Sequence, residues 1–502
     1  MAVAENSTSR VATGPLLLWI LAGLVALGAA IRFSTIGVQS YHHDEIITVT
    51  RVLPGSFSHM LHRVRESESN PPLYYVVAWV WSKAFGTGEI GMRSLSALLG
   101  TATVPVAFLA AREALDERAG LIAAALTAVN PMLIWYSQEA RDYAMLVFFG
   151  ALSLLFFLRA LRRRRDRDLA YWALASVAAL CSHYFGGFQI AIEAVWLLAA
   201  LPERRRAALA AVASTALVGA ALVPLLLSQI NATHIGWIAG MSLPARLLET
   251  GVSFLAGETG RVIAEPPRGG YAVLPAVLVA VAVVLLSAYG NRLERRWALP
   301  PLAIGLGVIV LATLAALAGK DYLIERNLLP ALVPLLVVVA LGFSVGQARR
   351  IGVACALVLT LYWLGYALDV AVTPNLQRPN FRDLTQRLGR PSGPREIVGW
   401  TLGATAVRFY LPDRSERVFG KLPVREVDVA SKPGSRGVGA AMPAGFHRVE
   451  RFHIDRMTMT RYRSARVRVV PYYLLRRLPT GYGSNGVVAD GLGAYQAKSP
   501  AN

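Results

Sequence analysis

The chain has 502 residues, of which 55% are hydrophobic and 16% charged, and its mean hydropathy is +0.45. Soluble proteins carry roughly 25% charged residues, so the composition excludes a soluble globular protein. The net charge of +20 is concentrated at one end, because from Ala371 onward 22 Lys and Arg stand against 9 Asp and Glu. Cys181 and Cys355 both lie within apolar runs, which excludes a disulfide framework and a cysteine metal site.

Eleven apolar stretches are predicted to cross the membrane as helices: 14–32, 91–111, 119–136, 141–161, 169–182, 185–201, 207–229, 272–289, 298–318, 328–345 and 351–371. Compact basic clusters separate some of them: Arg162–Arg165, Arg204–Arg206, Arg292 with Arg295 and Arg296, and Arg349 with Arg350. Short basic loops stay in the cytoplasm. With the amino terminus inside, this count puts every cluster on the cytoplasmic side. Segments 37–89, 136–142, 230–271, 319–327 and the tail are then predicted outside.

The first external loop, 37–89, is predicted to contain two helices that lie on the membrane surface. Residues 71–85 are apolar but short, and their Trp and Tyr side chains favour the interface. Residues 47–65 are predicted to form the other surface helix.

The predicted domains are a membrane domain at 1–371, a soluble extracytoplasmic unit at 372–482 and a disordered tail at 483–502. Strand-like runs at 395–400, 446–454 and 465–473, with a helix-like run at 403–411, predict a small α/β or α+β unit. Its basic charge suits anionic lipid headgroups or an anionic substrate, and nucleic acid is not an expected partner on that face.

Asp44 and Glu45 are adjacent carboxylates soon after the first span. In a partly desolvated site two such groups repel, one pKa rises, and that carboxylate becomes a usable general base. Alternatively, both residues simply favour the start of a helix. The neighbouring His42 and His43 either join the carboxylates around a divalent cation or are solvated. No other cofactor is expected.

Further polar groups are predicted on the same face. Asn70 opens a rigid Pro-Pro elbow. Arg141 begins a helix, where a cation is unfavourable, so an anionic partner is expected: Glu139, Asp142, Asp44, Glu45 or a ligand phosphate. Lys320 and Arg326 either bind a phosphate at the membrane surface or are snorkelling anchors. Tyr143 and His183 are additional candidate contacts.

The order of these motifs resembles a known superfamily. Asp44-Glu45 is followed by Asn70-Pro71-Pro72-Leu73-Tyr74-Tyr75, then by Arg93–Leu98, Tyr136–Tyr143 and Glu325–Pro330. The chain thus resembles the bacterial relatives of the dolichyl-phosphate-mannose protein mannosyltransferases, which include the aminoarabinose transferases that modify lipid A. The resemblance covers roughly residues 10–370. Asn70 stands where the family often has His, and Asn327 where it often has an aromatic residue.

The resemblance implies a GT-C fold and inverting glycosyl transfer from a polyprenyl-phosphate sugar at the outer face of a bacterial inner membrane. Asp44 would deprotonate the acceptor hydroxyl, and Glu45 would position the acceptor, the base or an ion. Arg141, Lys320 and Arg326 would bind the donor phosphate. The acceptor remains open between a glycan, a lipid and a protein.

Two other functions compete with this prediction. An oligosaccharide ligase with a diphosphate-linked donor would favour more cationic groups around the leaving group. A lipid or solute transporter would place polar residues in mid-membrane and show paired repeats, whereas the spans here are nearly free of charge and no repeat is visible.

Overall fold

The protein, as a computed structural model, is described for residues 14–232, 238–258, 269–411, 420–432, 434–454, 457–481 and 485–490. Within these ranges eight helices are long and apolar enough to cross a membrane, or nine if one bent pair counts as a single span. The predicted polytopic architecture is confirmed. All eleven predicted spans are helical, and the two that fall short of the length of a span have 17 and 15 residues.

The membrane part begins with α1 (Pro15–Ser34) and continues through three short helices of the first loop, α2 (His43–Ile47), α3 (Phe57–Ser67) and α4 (Leu73–Phe85). The following helices are α5 (Glu89–Ala114), α6 (Glu117–Val129), α7 (Pro131–Ser137), α8 (Tyr143–Arg163), α9 (Asp166–Ser182), α10 (Gly186–Ala200) and α11 (Arg205–Ala232). The remaining ones are α12 (Leu243–Ala256), α13 (Gly269–Val284), α14 (Arg292–Leu317), α15 (Leu332–Phe343) and α16 (Arg349–Val372).

Segment 37–89 contains the two predicted helices, which are α3 and α4. The prediction of one helix over 47–65 is wrong in its first half, because a π-helical turn at Thr48–Val52 follows α2 and the chain then breaks. Pro54 lacks an N–H, and Gly55 has a φ of +90° that side chains disfavour. Ser56 then starts α3 by accepting a hydrogen bond from the His59 N–H at 3.3 Å.

The bundle is packed around α15, whose span is largely buried, whereas α1 and α11 are mostly exposed on the outside. Between α6 and α7 the chain bends by 56° at Asn130-Pro131. Pro131 cannot donate to the preceding turn, and the Asn130 side chain caps the new helix by accepting from the Leu133 N–H at 3.1 Å.

The basic clusters lie together at one end of the bundle. Arg164 pairs with Glu203, Arg204 with Asp166 at 3.4 Å, and the Arg162 guanidinium lies 5.7 Å from the centre of the Trp297 ring. This arrangement agrees with the predicted count of spans, since each cluster had to reach the same side.

The C-terminal part combines helices with one mixed sheet. Its elements are α17 (Phe381–Leu388), β1 (Arg395–Trp400), α18 (Thr401–Tyr410), β2 (Lys421–Ser431), β3 (His447–Ile454), β4 (Met457–Pro471), α19 (Tyr472–Arg476) and β5 (Asn485–Asp490). The strand order is β3-β4-β2-β1-β5, with β1 and β2 parallel and the other pairs antiparallel. This confirms the predicted small sheet unit.

One part of the predicted disordered tail is in fact a strand. Residues 485–490 form β5, which pairs antiparallel with β1 from Arg395↔Asp490 to Trp400↔Asn485. The strand is stable because Val487 and Val488 are both buried against the sheet. The prediction for 491–502 falls outside the described residues.

We expect Gly352→Ala to destabilise the bundle, because a Cβ at this position would lie 2.0 Å from the carbonyl oxygen of Phe343 on the neighbouring helix. Forcing extra volume into such a contact costs about 1–3 kcal/mol. The matched control is Gly365→Ala on the same helix, where no atom lies within 4 Å of the new Cβ. Thermal unfolding in detergent should show a lower midpoint for the first variant alone, and equal midpoints would contradict the packing described here.

Candidate active site

The segment that leads into α2 brings Asp44 to the end of the bundle opposite the basic clusters. Asp44 is the second residue of α2 and its side chain is 27% exposed. Its Oδ2 lies 3.4 Å from Nη1 of Arg326, which comes from the turn before α15. In the sequence, Asp44 could be either a functional carboxylate or a residue that only favours the start of a helix. In the structure it does both, because it lies in the first turn of α2 and pairs with Arg326, 282 positions later.

Glu45 is fully buried behind Asp44. Its two oxygens accept from Arg93 Nε and Nη2, both at 2.7 Å, and from the N–H groups of Ala140 and His42, both at 2.8 Å. These four hydrogen bonds offset the free-energy cost of burying the carboxylate. Glu45 thus ties α2 to α5 and to the connection before α8.

Arg141 is paired with a carboxylate that was not among its predicted partners. Its Nη1 donates to Glu68 Oε2 at 2.8 Å and to Thr48 Oγ1 at 3.1 Å. Glu68 is 3% exposed and also accepts from the Tyr75 hydroxyl at 2.7 Å. Of the expected local partners, Glu139 pairs with Arg378 instead, and the two buried carboxylate oxygens of Asp142 accept no hydrogen bond within the described residues.

A cavity of about 490 Å³ opens in front of these groups. Seven of the predicted site residues line it: His43, Asp44, Asn70, Arg141, Tyr143, His183 and Arg326. Glu68 and Tyr322 lie on the same wall, whereas Leu226, Ile230 and Ile238 make another part of the lining apolar. The cavity therefore combines two carboxylates, of Asp44 and Glu68, with two guanidinium groups and an apolar side.

Three predicted residues are not on this wall. Glu45 and His42 lie behind it, in contact with each other through the His42 N–H. Lys320 is exposed on the turn after α14 and does not line the cavity. The charged contact in that turn is made by Asp321, which accepts from Arg246 Nη1 at 2.5 Å.

The charges around the cavity shift several pKa values. Burial acts to raise the pKa of the Asp44 carboxyl, but Arg326 and Arg141 outweigh it and lower that pKa well below the usual range. Burial raises the pKa of Glu68 despite Arg141, and raises that of Asp142 to about 7. Burial also lowers the pKa of His42 to about 4 and that of His183 to about 3. At neutral pH Asp44 is therefore ionised and both of these histidines are neutral.

A divalent cation was one of the two alternatives for His42, His43 and the neighbouring carboxylates. Among the described residues, no three His, Cys, Asp or Glu side chains come together as a metal site would require. Near Asp44 the charged neighbours are arginines, which suit phosphate better than they suit a metal ion.

A second cavity, of about 350 Å³, lies on the other side of the connection between α7 and α8. It is lined mainly by apolar side chains of α1, α7 and α16, with Gln138 and Glu258 among its few polar groups. Asp44 and the two cavity arginines do not line it, so the charged chemistry belongs to the first cavity.

The architecture and these residues define the class of protein as a multi-pass membrane protein with the fold of the GT-C glycosyltransferases. The structure of ArnT from Cupriavidus metallidurans bound to undecaprenyl phosphate is similar with a TM-score of 0.52 and 13% identity. The match covers 90% of this chain and 98% of ArnT.

A comparison of the sequence with protein-family models gives a second similarity. The sequence model of the family described as dolichyl-phosphate-mannose-protein mannosyltransferase matches residues 69–229, and the predicted resemblance to that superfamily is confirmed. No curated protein matches the chain.

Two further solved structures are similar over less of their own length. The Saccharomyces cerevisiae Pmt1-Pmt2 complex, bound to the sugar donor, has a TM-score of 0.34 and 19% identity over 44% of this chain and 33% of that chain. Arabinosyltransferase EmbB from Mycobacterium smegmatis has a TM-score of 0.43 and 12% identity over 88% of this chain and 48% of that chain.

We expect Glu68→Ala to destabilise the protein strongly, because it leaves the Arg141 guanidinium buried without its carboxylate. Breaking one partner of a buried ion pair costs about 3–5 kcal/mol. Glu66→Ala is the matched control: Glu66 is 46% exposed and pairs with Arg63 at 3.3 Å on the surface of α3. Such exposed pairs contribute at most about 1 kcal/mol. Comparable unfolding midpoints for the two variants would show that Glu68 is not a buried partner of Arg141.

Proposed function

We propose that this chain is an inverting glycosyltransferase that moves a sugar from a polyprenyl-phosphate donor to an acceptor hydroxyl. The observation that carries the proposal is that Asp44, 3.4 Å from Arg326, lines one cavity together with Arg326 and Arg141. The reaction would take place at the outer face of a bacterial cytoplasmic membrane, because the cavity lies opposite the basic clusters and short basic loops stay in the cytoplasm.

The two cavity arginines are the proposed site of the donor phosphate. Guanidinium groups bind phosphate oxygens bidentately, and they stabilise the charge that develops as phosphate leaves. The apolar side at Leu226, Ile230 and Ile238 suits the prenyl chain. ArnT, which has the same fold, was solved with undecaprenyl phosphate. Lys320 drops out of the proposed phosphate site because it is exposed away from the cavity.

Asp44 is the proposed general base. The acceptor hydroxyl gives its proton to Asp44 while its oxygen forms a bond to the anomeric carbon from the face opposite the phosphate. The bond between that carbon and the phosphate oxygen breaks, and the phosphate leaves with the electron pair. Because phosphate departs as a stable anion, cations are needed more than an acid. Glu45, whose oxygens are fully occupied by protein donors, positions α2 and takes no proton.

Donor binding would also strengthen the base. Arg326 lies 3.4 Å from Asp44 and lowers the pKa of that carboxyl. A phosphate that binds Arg326 neutralises this effect, so the pKa of Asp44 rises toward the range in which a carboxylate accepts a proton efficiently. Proton transfer is thereby favoured only when the donor is in place.

We expect Asp44→Asn to reduce transfer by roughly 10²–10⁴-fold, since the amide cannot accept the proton. The full-length protein in lipid vesicles is supplied with radiolabelled polyprenyl-phosphate sugars and a membrane extract as the source of acceptors. Asp166→Asn is the control, because Asp166 is 60% exposed at the opposite end of the bundle. Sugar release that persists in Asp44→Asn would refute the base role. Turnover with diphosphate-linked donors alone would indicate a ligase instead.

We expect Arg326→Gln to move the acidic limb of the pH dependence of kcat/KM for the donor to higher pH, because this quantity reports the enzyme before the donor phosphate binds. Asp44 must be ionised to act, and activity is lost as the pH falls through its pKa. Arg326 lowers that pKa, so its removal raises the pKa and the loss begins at higher pH. The apparent KM for the donor should rise as well.

The control for this variant is Arg350→Gln, which removes an exposed cation from a basic cluster at the other end. An unchanged acidic limb in Arg326→Gln, together with an unchanged donor KM, would remove Arg326 from both proposed roles.

A further inference from the structure

The segment that carries Asp44 is enclosed between the membrane bundle and the C-terminal part of the chain. On the bundle side, Arg93 Nη1 donates to the carbonyls of Ile36 at 3.1 Å and Gln39 at 2.6 Å, and Arg93 Nη2 donates to that of Ser40 at 2.9 Å. A guanidinium that binds three backbone carbonyls of the same segment fixes its path. The opposite side of the segment is bound by residues more than 300 positions later in the chain.

Arg378, six residues after the end of α16, is the innermost of these residues. Its side chain is 6% exposed, pairs with Glu139 and lies 3.7 Å from Glu45 Oε2. The guanidinium is 4.4 Å from the centre of the Trp135 ring, and its backbone N–H donates to Gln39 Oε1 at 3.0 Å. One side chain therefore joins the first external loop to the connection between α7 and α8.

A second layer of contacts surrounds Arg378. Arg382 pairs with Glu89 and donates through Nη2 to the carbonyls of Gly37 and Val38, both at 3.0 Å. Ser40 Oγ donates to the Pro379 carbonyl at 3.1 Å and accepts from the Phe381 N–H at 3.0 Å. The Tyr41 N–H donates to the Tyr410 hydroxyl at 2.6 Å, and this hydroxyl donates to Glu89.

The two parts also share one apolar core. Tyr41, Ile46 and Tyr74 of the first loop pack in the same cluster as Phe381 and Ile397 of the C-terminal part, and all of these side chains are buried. A contact of this kind is stabilised by the apolar area that it removes from water. The sheet part is therefore joined to the catalytic segment by a continuous interior.

We propose that the C-terminal part completes the active site, with Arg378 as a positioning residue that fixes Glu45 and hence the place of Asp44. This rests on the proposed function of Asp44 as the base. Arg378 and Arg93 together offset the charges of the buried Glu45 and Glu139. Without Arg378, Glu139 is a buried carboxylate with no cation, and the connection that supplies the Ala140 N–H to Glu45 is free to move.

The effect should be larger in the chemical step than in donor binding. The Arg141 guanidinium is held separately by Glu68 and Thr48, and Arg326 comes from the turn before α15, where its guanidinium lies 6.0 Å from the centre of the Tyr143 ring. A displacement of the base of about 1 Å costs roughly 10²-fold in rate. For Arg378→Ala we expect kcat for transfer to fall by about 10–100-fold, with the donor KM and the binding of polyprenyl phosphate unchanged. Arg378→Lys should restore part of kcat because the positive charge is kept.

The experiment uses the full-length protein in vesicles. Transfer is measured together with a titration of polyprenyl phosphate, which gives the fraction of protein able to bind it. Arg387→Ala is the control, since Arg387 lies on α17 and its ion pair with Asp383 is exposed on the surface. A wild-type kcat in Arg378→Ala overturns the proposal. A loss of polyprenyl phosphate binding in proportion to kcat also overturns it, because the role is then structural.

Arg382→Gln extends the test if Arg378→Ala does not fold. It removes the outer contacts to Gly37, Val38 and Glu89 and leaves Arg378 in place. A lowered kcat with intact binding in Arg382→Gln and a partial loss of kcat in Arg378→Lys support the proposal, and wild-type values in both variants overturn it.

Asp44→Asn in the same assay separates the proposed function from the proposed role of Arg378. If Asp44→Asn is fully active, the proposed function itself fails, whereas an inactive Asp44→Asn beside fully active Arg378 variants rejects positioning alone.

Discussion

The cavity lined by Asp44 depends on the buried ion pair between Glu45 and Arg93. Both side chains are almost entirely inaccessible, and removing two charges from water costs several kcal/mol per ion unless hydrogen bonds replace the lost hydration. Here each Glu45 oxygen accepts from Arg93 and from a backbone N–H. The pair is satisfied only when the first loop, α5 and the connection before α8 all occupy their places. The pair therefore specifies how these three segments are arranged, and this matters more than its net contribution to the free energy of folding.

The same principle extends through the outer end of the bundle. Glu68 neutralises Arg141, and Glu139 neutralises Arg378. The pair of Asp44 and Arg326 is looser, because its contact is longer, at 3.4 Å, and its side chains are 27% and 25% exposed. A weak, partly exposed pair exchanges readily with a charged ligand, whereas the fully buried pairs around it do not. The buried pairs therefore fix the structure around the cavity, whereas the pair of Asp44 and Arg326 can be opened by a charged ligand.

The C-terminal part has a structural reason to be attached to this bundle. Its first contacts reach the segment of Asp44 from the side that the spans leave open, and its apolar residues continue the core of the first loop. Ordering the backbone of the segment before Asp44 costs about 1–2 kcal/mol of entropy per residue, which contacts on only one side would offset in part. Contacts from Arg93 of the bundle on one side and from the C-terminal part on the other together fix this segment.

The sequence by itself determined the spans, their common basic end and the small sheet, because hydrophobic length, charge clusters and strand-like runs are local signals. It also predicted Asp44, Arg141 and Arg326 as site residues, and the structure brings these three to one cavity. It could not distinguish Glu66 from Glu68, which differ by two positions: one is exposed and the other is buried against Arg141. Nor could it show that Lys320 points away, or that Arg378 reaches Glu139 across 239 positions. Only the tertiary structure decided these points, because burial and pairing of charges depend on segments that the chain brings together from far apart.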